Sequence, residues 1–432
     1  MHQRRRQRVG RQARDQRAVA PPRRRQDERR RHVDRVVDGQ RRRPPSHASR
    51  PTQGNGSRAL NEDKATRYNR QKRQASVGSL LWTVLLLGGL LASGLSATLR
   101  HAAETIAGHI VSPFWLPGAT VLCYVVLLTL IHELGSLPLG FYSGFLLERR
   151  YALSTQSLAG WIGDQAKSLV IGLMLGGAGI GAVYWLIRQS PAWWWLEAGA
   201  LFALVIVALT NLAPVVLLPL FYAVKPLERE ALRGRLLALA ERAGARVLGA
   251  YEWGLGGKTK KANAALTGLG GTRRILVSDT MLAEYSDDEI EVVLAHELAH
   301  HVHGDIWKGI AFESVLLLAG FDLAALVLRA LAAPFGLRGV DDVAGLPLLL
   351  LAAGAVSLVM LPVAHAMSRA FERSADRFAL DLTRNPAAFI SAMRRLGAQN
   401  LAEDHPSRIV QWLFYSHPPV RERIAAAQTF KA

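Results

Sequence analysis

Six apolar runs of spanning length constrain this chain more than any motif in it. The run "SLVIGLMLGGAGIGAVYWLI", residues 168–187, carries no charge, and about 18 or more apolar residues in a row argue for a helix that crosses a bilayer. Comparable runs occupy 78–98, 116–134, 196–222, 308–332 and 345–366. Treating them as the core of a large soluble protein would require several helices apolar on every face in one chain, which a soluble fold rarely provides. The sequence therefore predicts a mainly α, polytopic membrane protein with about six spans. The single cysteine, Cys123, lies inside the second run, so no intramolecular disulfide is possible and the thiol says nothing about compartment.

The net charge of +19 in 432 residues resembles that of a nucleic-acid binder until its distribution is considered. Residues 1–73 hold 24 Lys and Arg against 7 Asp and Glu, or +17 of the total. Residues 1–74 are rich in Arg, Gln and Pro and poor in large apolar side chains, so a disordered tail is expected there. The tail has no apolar signal-peptide core. Its Arg clusters are not interleaved with aromatic residues that could stack on bases, which argues against nucleic acid as a partner. After it, 75–224 reads as a membrane region of four spans, and 225–432 as a domain with two more.

With six spans, the tail, the loop 135–167, the segment 223–307 and the C-terminus share one side. That side carries Arg149, Arg150, Lys167 and the tail's basic cluster, while the opposite loops offer little beyond Arg100, Arg188 and Arg338. The positive-inside rule puts the first set in the cytoplasm and Trp193, Trp194 and Trp195 at the outer interface.

Between the fourth and fifth spans, 226–243 reads as a helix with Pro at its start and Gly244 past its end. A strand near 247–253 and a hairpin, "TKKANAALTG" and "TRRILVSD", follow. Ser286 and Glu289 have capping-box spacing, so a helix should begin at Asp287. That helix carries "HELAH". His296 and His300, at i and i+4, lie on one helix face and can converge on one zinc ion, while Glu297 is placed to act as general base.

A catalytic zinc needs a third protein ligand. The pattern HExxHxxGxxH is excluded, because His303 and Ile306 stand where Gly and His would be required. A Glu on a later helix is the other source, and "HAMSRAFERSADRFAL" supplies Glu372, with Asp376 one turn on to orient a ligand imidazole. The two intervening spans return the chain to the same side. A surface ion pair with Arg369 or Arg373 is the competing reading of Glu372, and His365 is the alternative third ligand. His301 and His303 point elsewhere around the helix and are expected to face solvent. Three further patterns carry no function: "WGLGGKTK" has Glu252 where a phosphate loop needs Gly, "IHELGS" has Ser136 in the second ligand position, and Gly177 with Gly181 reads as close helix packing.

Together these segments resemble the type 1 CAAX prenyl protease family of integral-membrane zinc metallopeptidases. The matching stretches are "SDTMLAEYSDDEIEVVLAHELAHHVHGD", "SRAFERSADRFAL", "ANAALTG" and "YSHPPVRERI", with "LPLGFYSGFLLERRYALSTQSLAGWIGDQAKSLVIGLMLG" upstream. The resemblance covers about residues 60–428. It implies a gluzincin-type peptidase domain, one zinc ion on His296, His300 and Glu372, and Glu297 as general base. It further implies that Asn263 holds the substrate backbone by β-augmentation, and that His417 and Arg423 contact substrate or the oxyanion. It also implies a ring of membrane helices around a chamber, toward which Glu313 and Asp322 would face. Six spans, where eukaryotic members have seven, and the Arg-rich tail depart from the family pattern.

The expected function is a membrane-embedded zinc endopeptidase acting on a peptide or membrane-protein substrate at the cytoplasmic face, in a bacterial inner membrane. A quality-control protease without lipid requirement uses the same chemistry. A catalytically idle scaffold with a lipid- or nucleic-acid-binding tail is the reading from a different class. The sequence leaves oligomeric state open.

Overall fold

The computed structural model describes residues 54–268 and 270–431; the part of the expected tail at 1–53 lies outside them. Helix α1 (Gly54–Ala92) is followed by the short α2 (Leu95–Ile110). Then come α3 (Leu116–Phe141), which passes through a π turn at Tyr142–Leu146 into α4 (Leu147–Arg150), and α5 (Leu158–Gln189). A second π turn, Ala213–Leu217, joins α6 (Trp194–Leu212) to α7 (Leu218–Phe221). Next are β1 (Val224–Pro226), α8 (Glu230–Arg242), β2 (Ala250–Trp253), β3 (Ala264–Thr267), β4 (Arg274–Ser278), α9 (Asp279–Glu284) and α10 (Asp287–Val302). Last come α11 (Asp305–Leu331), α12 (Leu346–Thr383), α13 (Pro386–Gln399), α14 (Arg408–Phe414) and α15 (Val420–Gln428).

Six helical stretches among the described residues are long and apolar enough to cross a membrane: Lys64–Ala92, Leu116–Arg150, Leu158–Gln189, Trp194–Phe221, Asp305–Leu331 and Val343–Thr383. The first ends earlier than the expected 98, because Gly94 takes a left-handed φ of 72° and turns the chain into α2. Close crossings rely on glycine. A Cβ on Gly135 would sit 1.8 Å from the Trp82 ring, and one on Gly199 would sit 2.4 Å from Leu318. Neither member of the Gly177/Gly181 pair makes so close an approach: a Cβ on Gly177 would meet Leu122 at an ordinary contact distance of 3.4 Å, and one on Gly181 would have open space.

Two expectations need correction. Residues 54–74 are helical and belong to α1 instead of a disordered tail. Trp194 is not an interfacial anchor: it is buried against Phe321, whereas its neighbour Trp193 is 60% exposed. Glu313 is exposed and Asp322 half-buried.

The expected hairpin is present, with β3 antiparallel to β4 from Ala264 opposite Val277 to Thr267 opposite Arg274. β4 also runs parallel to β2, giving the order β1-β2-β4-β3 with β3 at an edge. One face of this sheet shares a core with α8 and α10, through Leu236, Ile275, Val277 and Leu294. That burial fixes the sheet edge beside α10. The capping box at Ser286 and Glu289 is formed, and α10 starts at Asp287.

Candidate active site

α10 buries nine of its 16 residues, so its orientation is set by packing, and His296 sits at the border between core and cavity. α12 leaves the membrane region as one continuous helix and brings Glu372 and Asp376 against the same face. The nearest donor atoms of His296, His300 and Glu372 lie within 4.8 Å of one another. Glu372 Oε2 is 3.2 Å from His296 Nε2, and Glu372 Oε1 is 3.5 Å from His300 Nε2. Yet Glu372 Oε2 is buried and accepts no hydrogen bond. A buried carboxylate oxygen left unpaired beside two imidazoles is costly unless a cation bridges them. His365 Nδ1 is also buried without a partner, but His365 does not belong to the donor cluster.

Both imidazoles are oriented from behind. His296 Nδ1 is 2.9 Å from Asp376 Oδ1, and His300 Nδ1 is 3.0 Å from Asp305 Oδ2. A carboxylate on Nδ1 holds the proton there and turns the Nε2 lone pair toward the cluster. Asp376, one helical turn from Glu372, is the residue that makes the contact to His296. Asp305 was missed, because it depends on a chain reversal: α10 ends at Val302, Gly304 adopts a φ of 68°, and α11 restarts at Asp305. The "HGD" sequence contains that turn signal.

Arg423 donates from Nε to Asp376 Oδ2 at 2.8 Å, and its Nη2 lies 3.3 Å from His296 Nδ1. It therefore ties α15 to the carboxylate that orients His296, while also lining the cavity. His417 Nε2 is 3.2 Å from Glu372 Oε1. Glu297 shares the cavity; burial pushes its carboxyl above the ordinary value, and His296 and His300 partly offset this. His301 and His303 do not face solvent as expected. His301 is half-buried with Nε2 unpartnered, and burial lowers its pKa to about 4, with Arg273 adding to the effect. His303 packs edge-on against Phe378.

The cavity has a volume of about 290 Å³, and Asn263, Glu297, Glu372, Tyr415, His417 and Arg423 are among its lining residues. Asn263 is exposed at the start of edge strand β3, its backbone held by Ser278. Asn400 engages both backbone groups of the adjacent Ala262. Another part of the wall is held from afar. Arg73 of α1 donates to Glu403 Oε2 at 2.6 Å and to the Tyr415 hydroxyl at 2.9 Å, and that hydroxyl donates to Glu403 at 2.6 Å. Arg369 donates to the Tyr415 carbonyl at 2.7 Å. None of Arg73, Glu403, Tyr415 or Arg369 had been singled out for this role. The "YSH" stretch drew attention only through His417.

Residues 226–431 match peptidase family M48, and residues 50–223 match the CAAX prenyl protease N-terminal region, described as five membrane helices. The metalloprotease YhfN of Bacillus subtilis is 33% identical over 309 residues, covering 71% of this chain and 72% of its own. CAAX prenyl protease 1 of Saccharomyces cerevisiae is 27% identical, covering 77% and 76%. In fold, the crystal structure of S. mikatae Ste24p superposes with a TM-score of 0.76 at 24% identity, covering 85% of this chain and 89% of that one. The chain is a multi-pass membrane metalloprotease and belongs to the CAAX prenyl protease (M48) family.

Proposed function

We propose that His296, His300 and Glu372 hold one zinc ion and that the chain cleaves peptide bonds at the cytoplasmic face of a bacterial inner membrane. The observation that carries this reading is the donor cluster itself: two imidazole nitrogens and a buried, unpaired carboxylate oxygen converge beside a cavity that contains a second, non-ligand carboxylate. Two nitrogens and one carboxylate are a donor set that catalytic zinc accepts, leaving a position open. Zinc held there would supply Lewis acidity toward the scissile carbonyl.

The rest of the work falls to the chain's own residues. Glu297, adjacent to the first ligand and with its carboxyl pKa raised by burial, takes a proton from the attacking water and delivers it to the leaving amine. His417, whose Nε2 lies 3.2 Å from Glu372 Oε1, would donate to the oxyanion. The Asn263 side chain and the outward backbone groups of edge strand β3 would receive an extended substrate, which would add as a further strand. Arg423 acts through Asp376 to hold His296 and is also exposed to substrate in the cavity. The cytoplasmic orientation rests on Lys72, Arg73, Arg149, Arg150 and Lys167, which lie on the site's side of the spans.

The substrate class proposed from the relatives' names is a prenylated C-terminal CaaX peptide. The test compares wild type with Glu297→Ala on a farnesylated CaaX peptide and its unprenylated twin, with zinc measured in both proteins. Cleavage by wild type alone, with about one zinc in each, is the expected result. Equal cleavage of the two peptides would reassign the substrate to unlipidated polypeptide. Wild type without zinc would overturn the reading.

A further inference from the structure

Helix α14 leaves large apolar side chains uncovered. Ile409 is 70% exposed and Trp412 54%, and their i, i+3 spacing puts them on one face. α14 packs on α12, and between the two helices lies an open pocket of about 490 Å³, lined by Arg369, Arg373, Arg408, Ile409 and Trp412. Its charge is unbalanced. Arg373 pairs with Glu422 at 2.7 Å. Arg369 is buried, and its Nη1 donates only to neutral carbonyls, those of Gln411 and Tyr415. Arg408 is exposed and forms no ion pair among the described residues. Three guanidinium groups therefore meet one carboxylate.

Depth along α12 identifies the occupant. The apolar run of the sixth span ends near residue 366, so Arg369 and Arg373 stand about 4.5 and 10.5 Å beyond it at 1.5 Å per residue. The headgroup layer on each side of a bilayer is roughly 5–8 Å thick. Arg369 thus falls within that layer, Arg373 stands just past it with a side chain long enough to reach back to the lipid phosphates, and the neighbouring Trp and Ile have the chemistry of side chains that enter the interface. A soluble partner would have to reach this patch through the headgroups.

We propose that the pocket between α12 and α14 binds the phosphate of an anionic phospholipid, with Arg373 and Arg408 as the contacting groups and Trp412 and Ile409 seated against the acyl boundary. Basic pockets at this depth recognise acidic headgroups by charge and position. The site is separate from the donor cluster and does not depend on the peptidase reading.

The test is native mass spectrometry of the full chain, purified in detergent and delipidated, then exposed to phosphatidylglycerol or phosphatidylcholine. Wild type should retain one phosphatidylglycerol with a preference of about thirtyfold, the order expected of two arginines at a membrane surface. Arg373→Gln with Arg408→Gln should erase that preference, and Arg408→Gln alone, on an exposed side chain, should reduce it with an unchanged unfolding temperature. Millimolar inorganic phosphate should leave the bound lipid in place. Equal retention by wild type and both variants would overturn the proposal. Displacement by inorganic phosphate would reassign the pocket to a free anion. Loss of peptide cleavage by Arg408→Gln in lipid-free detergent would reassign it to substrate.

Discussion

The two sides of the cavity are built on different length scales. On the side of the donor cluster, His296 and His300 are one helical turn apart, Glu372 and Asp376 are one turn apart, and one helix contact joins the pairs. On the His417 side, the wall is held by Arg73, which is 330 residues from Glu403 and 342 from Tyr415. The first side can be specified by two short motifs. The second exists only once α1 has been brought against the peptidase domain, so the membrane region contributes directly to the site's shape.

The largest effects should come from the first side, and they should separate binding from chemistry. Glu297→Ala is expected to lower kcat/KM by about 10³-fold or more while retaining zinc, because a positioned acid–base group contributes on that order. Glu372→Ala should lose both activity and metal. If Glu297→Ala also lost its zinc, the assignment of Glu297 as a non-ligand would be wrong. Behind the ligands, Asp376→Ala and Asp305→Ala should each weaken zinc affinity by about 10–100-fold, the usual consequence of removing a carboxylate that orients a ligand imidazole. Competition with a calibrated chelator measures this. A large loss for Asp376 with none for Asp305 would mean that His300 is oriented by packing alone.

The second side should respond differently. Arg73→Met removes two donors to Glu403 and Tyr415 without touching the donor cluster, so zinc content should be unchanged while kcat falls about tenfold, as expected when a catalytic group loses its positioning. Tyr415→Phe should do less. The double variant should be no worse than Arg73→Met, since neighbours in one network are not additive. Strict additivity would show that Arg73 and Tyr415 do not act as a unit. Burial, reinforced by Glu403, pushes the Tyr415 phenol far above its ordinary range, which keeps it a hydrogen-bond donor at any working pH.

This contrast also explains how much could be read from the sequence. His296, His300, Glu372 and Asp376 were legible because helix periodicity converts spacing into direction. The six spans were legible because their apolar length has no cheaper explanation. Asp305 was hidden by the helix break at Gly304, after which i, i+4 reasoning no longer applies. Arg73 and Glu403 were hidden because nothing local distinguishes them from surface charges: Arg73 sits in a basic run, and Glu403 in a loop. Trp194 was misplaced for a related reason, since a triplet of tryptophans predicts an interface but not which ring turns inward.

The smallest expected effect tests whether the helix that carries the ligands is secured independently of the site. Ser286 accepts from the Glu289 backbone N–H, and the Glu289 carboxylate accepts from both the Ser286 backbone N–H and its hydroxyl, with Ser391 donating to the other oxygen. Burial raises the Glu289 pKa, but these donors outweigh it and hold the carboxyl below the ordinary glutamate value. A depressed folded-state pKa stabilises the fold above the unfolded value and is lost as pH falls through the folded one. Ser286→Ala should therefore cost about 1 kcal/mol near neutral pH, the usual cost of a lost N-cap. The difference from wild type should shrink below the glutamate range, where the carboxylate is protonated in both proteins, and should not vanish, because the bond from the Glu289 N–H to the Ser286 hydroxyl does not titrate. Zinc affinity should stay unchanged, since ten residues separate Ser286 from His296 and the intervening turns of α10 are packed in the core. Thermal unfolding in detergent across pH, paired with zinc titration, checks both parts. A variant that weakened zinc as much as Asp376→Ala would show that the cap and the site are one cooperative unit, and the division between a locally specified side and a distantly held one would have to be redrawn.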